Sequence, residues 1–440
     1  MKSLPVLLVL ICCKSFSQVY QWAPTNSPTG VWRYEDVYFL NPDTGFAVHY
    51  NEEPFGGLPG YIIKTVDGGT SWIKVVDSSE STFRDIGFTD ALHGWAGTFE
   101  HSNTGADTNI LYQTVDGGLN WTGVANLPGP DSSGICGLRV INSTTIYGVG
   151  RYEGHAGFYK TTDNGLTWNY TSLDLLASGA VDIFFFDADT GFVCATTGPL
   201  FSTGYGRILY TTDAGNTWSI VHTSSHYSTL GWKISFPSRN TGYCSLQSFN
   251  FPPVQYFLKT TDGGLTWQEI PYIGGPSGGY NIEGMGFIND TTGWVGGDVY
   301  IYFTQNGGTS WTQQTWGNNL NRFRFLSDTL AYAAGQKIYK MHFSATGIHE
   351  IISDAVLGQS YPNPASGSAS FEFFVYKASR FKLAVYDLQG KEIAVLFDKF
   401  FSYGNKYFTW KPAQIPEGVY MYRLFSDNQA VSKKLIIVKN

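Results

Sequence analysis

The chain has 440 residues, 14% of them charged and 16% aromatic, with 51 glycines. Few charges with many aromatics and glycines point to short strands joined by tight turns, hence an all-β protein. A net charge of −7 without any lysine- or arginine-rich run excludes nucleic acid and anionic membrane surfaces as main partners.

At the N-terminus, Met1-Lys2, the apolar run LPVLLVLICC and Ser15-Phe16-Ser17 before Gln18 follow the order of a secretory signal over residues 1–17. The apolar run is too short to cross a bilayer as a helix, so no transmembrane segment is expected in the mature chain. Cys12 follows Ile11 rather than a small residue, which argues against lipid attachment. Removal of this segment leaves Cys136, Cys194 and Cys244, an odd set that permits at most one internal bridge. All three are expected to be small buried hydrophobes in strands.

The segment KTVDGGTSW (64–72) returns as QTVDGGLNW (113–121), KTTDNGLTW (160–168), YTTDAGNTW (210–218), KTTDGGLTW (259–267) and FTQNGGTSW (303–311). A second signature precedes each copy, as in NPDTGFAV (41–48) and NDTTGWVG (289–296). Each unit reads as four antiparallel strands: EDVYFL (35–40), GFAVHY (45–50), YIIKT (61–65) and SWIKVV (71–76) in the first. A period of 40–50 residues with several strands per unit marks propeller blades. A seventh unit stops after KIYKMHF (337–343), and VYQWAPT (19–25) is expected to supply its fourth strand and close the ring. The expectation is a seven-bladed β-propeller over residues 18–344.

The recurrent D-x-G-x-T/S-W resembles the Asp-box (BNR-like) repeat of sialidases, sortilin-type receptors, xyloglucan-degrading enzymes and photosystem II assembly-factor-like propellers. That resemblance implies boxes at the periphery, on the face away from any active site. The residues themselves read as structural. Asp67, Asp116, Asp163, Asp213, Asp262 and Asn306 are placed to accept backbone N–H bonds within their own turns. Trp72, Trp121, Trp168, Trp218, Trp267 and Trp311 are placed to bury a large apolar face. Asn306 keeps the hydrogen-bonding capacity but not that of a catalytic carboxylate.

After a small-residue linker (345–358), residues 359–440 read as a separate small antiparallel β-sandwich. YPNP (361–364), VYDLQGK (385–391), GVY (418–420) and the lysine-containing last strand KKLIIVKN (433–440) closely resemble, in order, the type A C-terminal sorting domain of the Bacteroidetes type IX secretion system. The resemblance implies export, with this tail read by the secretion machinery, and a secreted or cell-surface location.

Function is expected on the face opposite the boxes, where loop lengths vary. Its candidate ligand-binding residues are Tyr50, Phe55, Phe99, His101, Arg151, Tyr152, His155, Phe201, Tyr205, Phe249 and Phe251, a set suited to a glycan or an extended peptide. Aligning the first strands puts Asp36, Asp85, Gly137, Asp182, Lys233, Gly284 and Arg322 on one level, expected at the mouth of the central channel, where a mutually neutralising network is as reasonable as a site. The leading expectation is a non-catalytic binding propeller for a glycan or surface protein. The alternative is a glycoside hydrolase using paired carboxylates, Asp36 with Asp85 or Glu52 with Glu100. Against it, VWRYEDV (31–37) carries Arg33 without the Arg-Ile-Pro motif of sialidases, and the xyloglucan-degrading relatives work between two propellers. A passive module of a larger surface assembly is a third reading. No Cys/His spacing suggests zinc and no phosphate-binding loop precedes a helix, so no metal or cofactor is expected.

Overall fold

The computed structural model describes residues 18–29, 33–50, 60–79, 82–98, 109–130, 133–150, 154–198, 203–249, 255–273, 282–327, 329–345, 355–358, 360, 362–375, 378–402, 404–412, 415–426 and 429–439. Two compact units make up the chain: Trp22–His342, and Phe343–Asn440 together with the residues before Trp22. Every regular element among the described residues is a strand. The signal-like residues 1–17 lie outside them.

The larger unit repeats one local plan. Arg33–Phe39, Gly45–Tyr50, Gly60–Thr65 and Ile73–Ser79 form the first four-stranded antiparallel sheet in chain order. Five more sheets follow the same order, beginning at Phe83–Phe88, Gly137–Val140, Gly179–Phe185, Thr229–Ser235 and Ile282–Phe287. The seventh sheet among the described residues sets Gln18–Pro24 beside Ile338–Ala345, followed by Leu330–Ala334 and Arg322–Ser327. Each sheet's first strand packs on the first strand of the next, and Arg322–Ser327 packs back on Arg33–Phe39. The sheets therefore form a closed ring with the first strands innermost. Thr25 N donates to Ile338 O at 2.8 Å, and Ile338 N donates to Ser27 Oγ at 2.9 Å. Trp22 stacks on Trp316 with ring centroids 4.7 Å apart.

Apolar clusters lie between adjacent sheets, as where Phe46, Val48 and Ile62 of the first meet Phe83, Ile86 and Phe88 of the second. Each such side chain stabilises the ring by roughly 1.5–3 kcal/mol on burial. Alternation along the strands supplies one row of side chains for each neighbouring sheet.

The six recurrent turns share one hydrogen-bond pattern. Asp67 Oδ1 accepts from Thr65 Oγ1 and Ser71 N, both at 2.8 Å, and Oδ2 accepts from Ser71 Oγ at 2.6 Å. Asp163, Asp213 and Asp262 repeat this with Thr167, Thr217 and Thr266, and Asp116 takes Asn120 Nδ2 at 2.7 Å in place of a hydroxyl. Asn306 accepts from Thr304 Oγ1 and Ser310 N at 2.9 and 3.0 Å, then donates Nδ2 to Ser310 Oγ at 2.8 Å. The glycine two residues after the aspartate or Asn306 takes positive φ in all six turns. Gly118 and Gly264 have φ of 78° and 89°, and an added Cβ would stand 2.4 Å from Phe46 and 2.3 Å from Phe192. The tryptophans then wedge against aromatic rings, Trp121 edge-on to Phe88 and Trp267 edge-on to Phe192 and Phe236. Trp72 and Trp168 are half-buried in the clusters of their own sheets.

A lysine clamps successive turns together. Lys64, Lys160 and Lys259 donate to the carbonyls of Gly117, Ala214 and Gly307 in the following turn, at 2.8, 3.1 and 2.9 Å. Lys340 makes the same contact with Gly68 O at 3.2 Å, whereas Gln113, Tyr210 and Phe303 take the lysine's place in the second, fourth and sixth sheets. In the second sheet Gln113 stands close to Asn164 of the following turn. A cavity of about 450 Å³ opens there, lined by Trp95, Gln113, Asn164 and Leu166. Trp95 Nε1, buried at its edge, lacks a hydrogen-bond partner among the described residues.

In the smaller unit, Ala355–Leu357, Ala369–Val375 and Gly404–Trp410 form one sheet, and Glu392–Phe401, Ser379–Tyr386, Gly418–Ser426 and Gln429–Ile437 form another. Phe371, Phe373, Phe381, Leu383, Tyr422 and Leu424 share one core between them. The asparagine of the YPNP segment is a backbone surrogate: Asn363 Nδ2 donates to Lys434 O and Oδ1 accepts from Ile436 N, both at 2.8 Å. In VYDLQGK, Asp387 Oδ1 accepts from Gln389 N and Lys391 N at 3.0 and 2.9 Å, and Gly390 takes φ 85°.

Candidate functional site: the charged bore

The innermost strands carry a bulge at matching places, between Tyr34 and Asp36, Phe83 and Asp85, Ala180 and Asp182, Gly231 and Ile234, and Ile282 and Gly284. A bulge breaks the strict alternation of side chains, so two consecutive residues turn inward. The first strands thereby deliver two adjoining tiers of charge to the centre of the ring.

The first tier is the level expected from the sequence. Arg322 Nη1 and Nη2 reach Asp182 Oδ2 and Oδ1 at 3.0 and 2.9 Å, and Nη2 also reaches Asp85 Oδ2 at 2.8 Å. Gly137 belongs to the sheet between those of Asp85 and Asp182, and a Cβ there would stand 3.0 Å from Val181 O. Arg324 adds Nε to Asp36 Oδ1 at 3.0 Å, and Nη2 to Asp36 Oδ2 at 2.5 Å and Asp85 Oδ1 at 3.2 Å. Backbone N–H groups complete the carboxylates: Val37 N to Asp36, Ile86 N to Asp85 and Ile234 N to Asp182, at 2.8, 2.8 and 3.0 Å. In the second tier Glu35 binds Arg33 Nε at 2.6 Å and Arg84 Nη1 at 3.1 Å, and Arg33 also pairs with Glu283. Asn321 extends this tier, donating to Glu35 Oε2 at 2.7 Å and accepting from Trp232 Nε1 at 2.7 Å.

The electrostatics follow from burial and pairing. Burial alone raises a carboxyl group's pKa, yet Arg324 and Arg322 outweigh it at Asp36 and hold that group well below its ordinary range. At Asp85, burial and the neighbouring Asp36 charge push the pKa well above the ordinary value. Burial lowers Lys233 to about 8, with Arg322 adding to the effect. Asp36, Asp85, Asp182, Lys233 and Arg322 are all buried. All five are thus enclosed among neighbouring side chains, with Arg322 reaching both Asp85 and Asp182. Arg324 is the more accessible member, its side chain 23% exposed. Glu35, Arg84, Glu283 and Arg324 were not singled out in the sequence, and Arg33 was weighed only against a sialidase motif. For Glu35 and Arg84 a signal was present: consecutive charges in a strand, Glu35-Asp36 and Arg84-Asp85, contradict plain alternation.

The loop residues are not assembled in the same way. Phe55, Phe99, His101, Arg151, Tyr152, Phe201 and Phe251, with Glu52 and Glu100, lie outside the described residues, and of Tyr50 only the backbone is described. His155 Nδ1 lies 2.9 Å from Asp174 Oδ2 at the surface. Tyr205 is 39% exposed and meets Tyr227 edge to face, with centroids 5.4 Å apart. Phe249 packs against Val181, Leu230 and Trp232. Among the described residues no three His, Cys, Asp or Glu side chains gather as a metal site.

Comparison with known proteins places the tail first. Residues 359–438 match the family model of the secretion system C-terminal sorting domain. No curated protein matches the chain. Among solved structures, YCF48 bound to D1 peptide is similar at 16% identity and TM-score 0.52, covering 75% of this chain and 99% of that one. PorZ, a surface component of the type IX secretion system of Porphyromonas gingivalis, is similar at 12% identity and TM-score 0.53, covering 94% of this chain. An ancestral GH74 enzyme is similar at 11% identity and TM-score 0.52, covering 93% of this chain. The chain spans 60% of the length of PorZ and 63% of that of the GH74 enzyme. These likenesses show the fold, a β-propeller. The tail marks the chain for type IX export to the cell surface or beyond. No helix among the described residues is long and apolar enough to cross a membrane.

Proposed function

We propose that this chain is a non-catalytic binding propeller of the cell surface, with a polypeptide as its ligand. In this reading residues 18–344 are seven blades, 345–358 a linker and 359–440 a β-sandwich read by the secretion machinery, residues 1–17 being a signal removed on export. The observation that carries it is the engagement of Asp36 and Asp85 by Arg322 and Arg324 within a buried bore. A glycosidase needs two carboxyl groups roughly 5–10 Å apart with the substrate between them. A carboxylate already bound by two guanidinium groups and shut from solvent is a poor acid, base or nucleophile. The recurrent turns act as scaffolding, since their carboxylates are used up in their own hydrogen bonds. A polypeptide ligand is supported by the likeness to YCF48 bound to D1 peptide, in which that whole chain is matched. The variable loops around Tyr205 and His155 are the proposed contact face.

The test is chemical cross-linking of the exported protein on its own cells, beside a glycan array and a hydrolysis assay on the same glycans. The expected result is a discrete cross-linked protein, weakened by Tyr205→Ala, with no glycan turnover. Saturable glycan binding in place of a protein adduct would replace the ligand class. Turnover lost in Asp85→Asn would overturn the non-catalytic reading.

A further inference from the structure

Cys194 follows Gly191 by three residues in the strand Gly191–Thr196, and Cys244 follows Gly242 by two in Gly242–Ser248. These are second strands of the fourth and fifth sheets. The one-residue difference in offset puts the two side chains on opposite faces of their strands. Opposite faces of neighbouring sheets are the ones that meet, and the two sulfurs lie 3.3 Å apart. Both thiols are fully buried, among Phe192, Ile208, Ile234, Leu246 and Leu258. Cys136, the third cysteine, is buried just ahead of the strand Gly137–Val140.

We infer that the exported protein carries a disulfide between Cys194 and Cys244, a covalent staple between adjacent sheets. Two observations converge on it: sulfurs already in contact, and a sorting tail that sends the chain out of the reducing cytoplasm. A bond of about 2.05 Å requires the sulfurs to close by roughly 1.2 Å. The oxidant is a thiol–disulfide exchange partner, a small-molecule or protein disulfide. Cys194 thiolate attacks one sulfur of that disulfide, forming a mixed disulfide and releasing the partner's first thiolate. Cys244 thiolate then attacks Cys194 Sγ, forming the internal S–S bond and releasing the second. Two electrons pass to the partner, and the two protons lost by the cysteines balance those its thiolates take up. Burial raises the Cys194 thiol's pKa and shuts out reagents, so exchange takes place before the two sheets close on each other.

Differential alkylation tests this on the full chain exported by a cell that carries the type IX machinery. The protein is denatured with iodoacetamide, then reduced and treated with a second, isotopically distinct reagent, and the peptides are read by mass. Expected is the first label on Cys136 and only the second on Cys194 and Cys244. In Cys194→Ala, Cys244 should acquire the first label, whereas Cys136→Ala should leave the pattern unchanged. First label on both Cys194 and Cys244 in the wild-type chain overturns the inference. A thermal readout is independent of labelling. Reductant should lower the wild-type Tm by several degrees and leave that of the Cys194→Ala, Cys244→Ala chain unmoved, and an equal response of the two overturns it as well.

Discussion

Arg322 offers both terminal nitrogens to Asp182, at 3.0 and 2.9 Å, and so ties the seventh sheet to the fourth across the bore. The pair is separated by 140 residues of sequence. Only closure of the ring brings it together. Arg322→Met strips a cation from Asp85 and Asp182 and leaves buried charge uncompensated, a loss of about 3–5 kcal/mol. Arg322→Lys should recover little of this, because an ammonium cannot bridge two carboxylates in a fixed fork. Guanidinium unfolding of the purified protein measures both. An Arg322→Met chain as stable as wild type would contradict the role given to the pair.

The recurrent turns separate hydrogen bonding from charge. Asp67→Ala deletes three hydrogen bonds and should cost about 1–3 kcal/mol, whereas Asp67→Asn should be mild, since Asn306 already performs the task in the sixth turn. Thermal melts of the two variants decide between these outcomes.

Acid stability follows from the same turns. Hydrogen bonds from Asn120, Thr167 and Thr266 hold Asp116, Asp163 and Asp262 at about 2. A carboxylate depressed in the folded state contributes stability that is whole above its ordinary pKa near 4 and fades as pH falls through the folded value. Tm should therefore fall steeply from about pH 4 to pH 2, and the fall should be shallower in a chain with asparagine at all three positions.

Gln113 marks one gap in the set of lysine contacts, Tyr210 and Phe303 being the others. Gln113→Lys gives the second sheet the clamp that Lys64 and Lys160 provide on either side, reaching toward the Asn164 carbonyl. The expected gain is about 0.5–1.5 kcal/mol, the net worth of one hydrogen bond. It would appear as a higher midpoint in denaturant with an unchanged slope.

Trp22 is the closing wedge. It stacks on Trp316 and meets Trp294 and Phe323 edge-on at 5.5 and 5.7 Å. Trp22→Ala should cost about 3–5 kcal/mol and expose the edge at Ile338–Ala345. Limited proteolysis should then cut the seventh sheet ahead of the others.

Export offers a test inside the cell. Asn363→Ala removes both hydrogen bonds that hold the YPNP segment to the last strand, at Lys434 and Ile436. The variant should accumulate in the periplasm, which fractionation and immunoblotting would detect. Normal surface display would separate this segment from recognition by the machinery.

What the sequence disclosed and what it withheld divide along range. The all-β class and the propeller plan were legible because each turn is written in nine adjacent residues, and its hydrogen bonds close within five. The sorting tail was legible for the same reason. The level of Asp36, Asp85, Asp182, Lys233 and Arg322 could be drawn by aligning strands, but its burial and its pairing depend on residues up to 288 positions apart. Arg324 carries no periodic mark, although it binds both Asp36 and Asp85. The aromatic loop residues sit in segments of unequal length, where neither period nor register says which rings face outward, and Phe249 turned inward.

The ring has no complete perimeter until Ile338 can meet Thr25, two residues that leave the ribosome near opposite ends of synthesis. The first strand must therefore stay unmatched while six sheets are laid down. The sorting tail lies beyond the segment that closes the ring, so a chain cut short before Ile338 lacks both its closure and its export address.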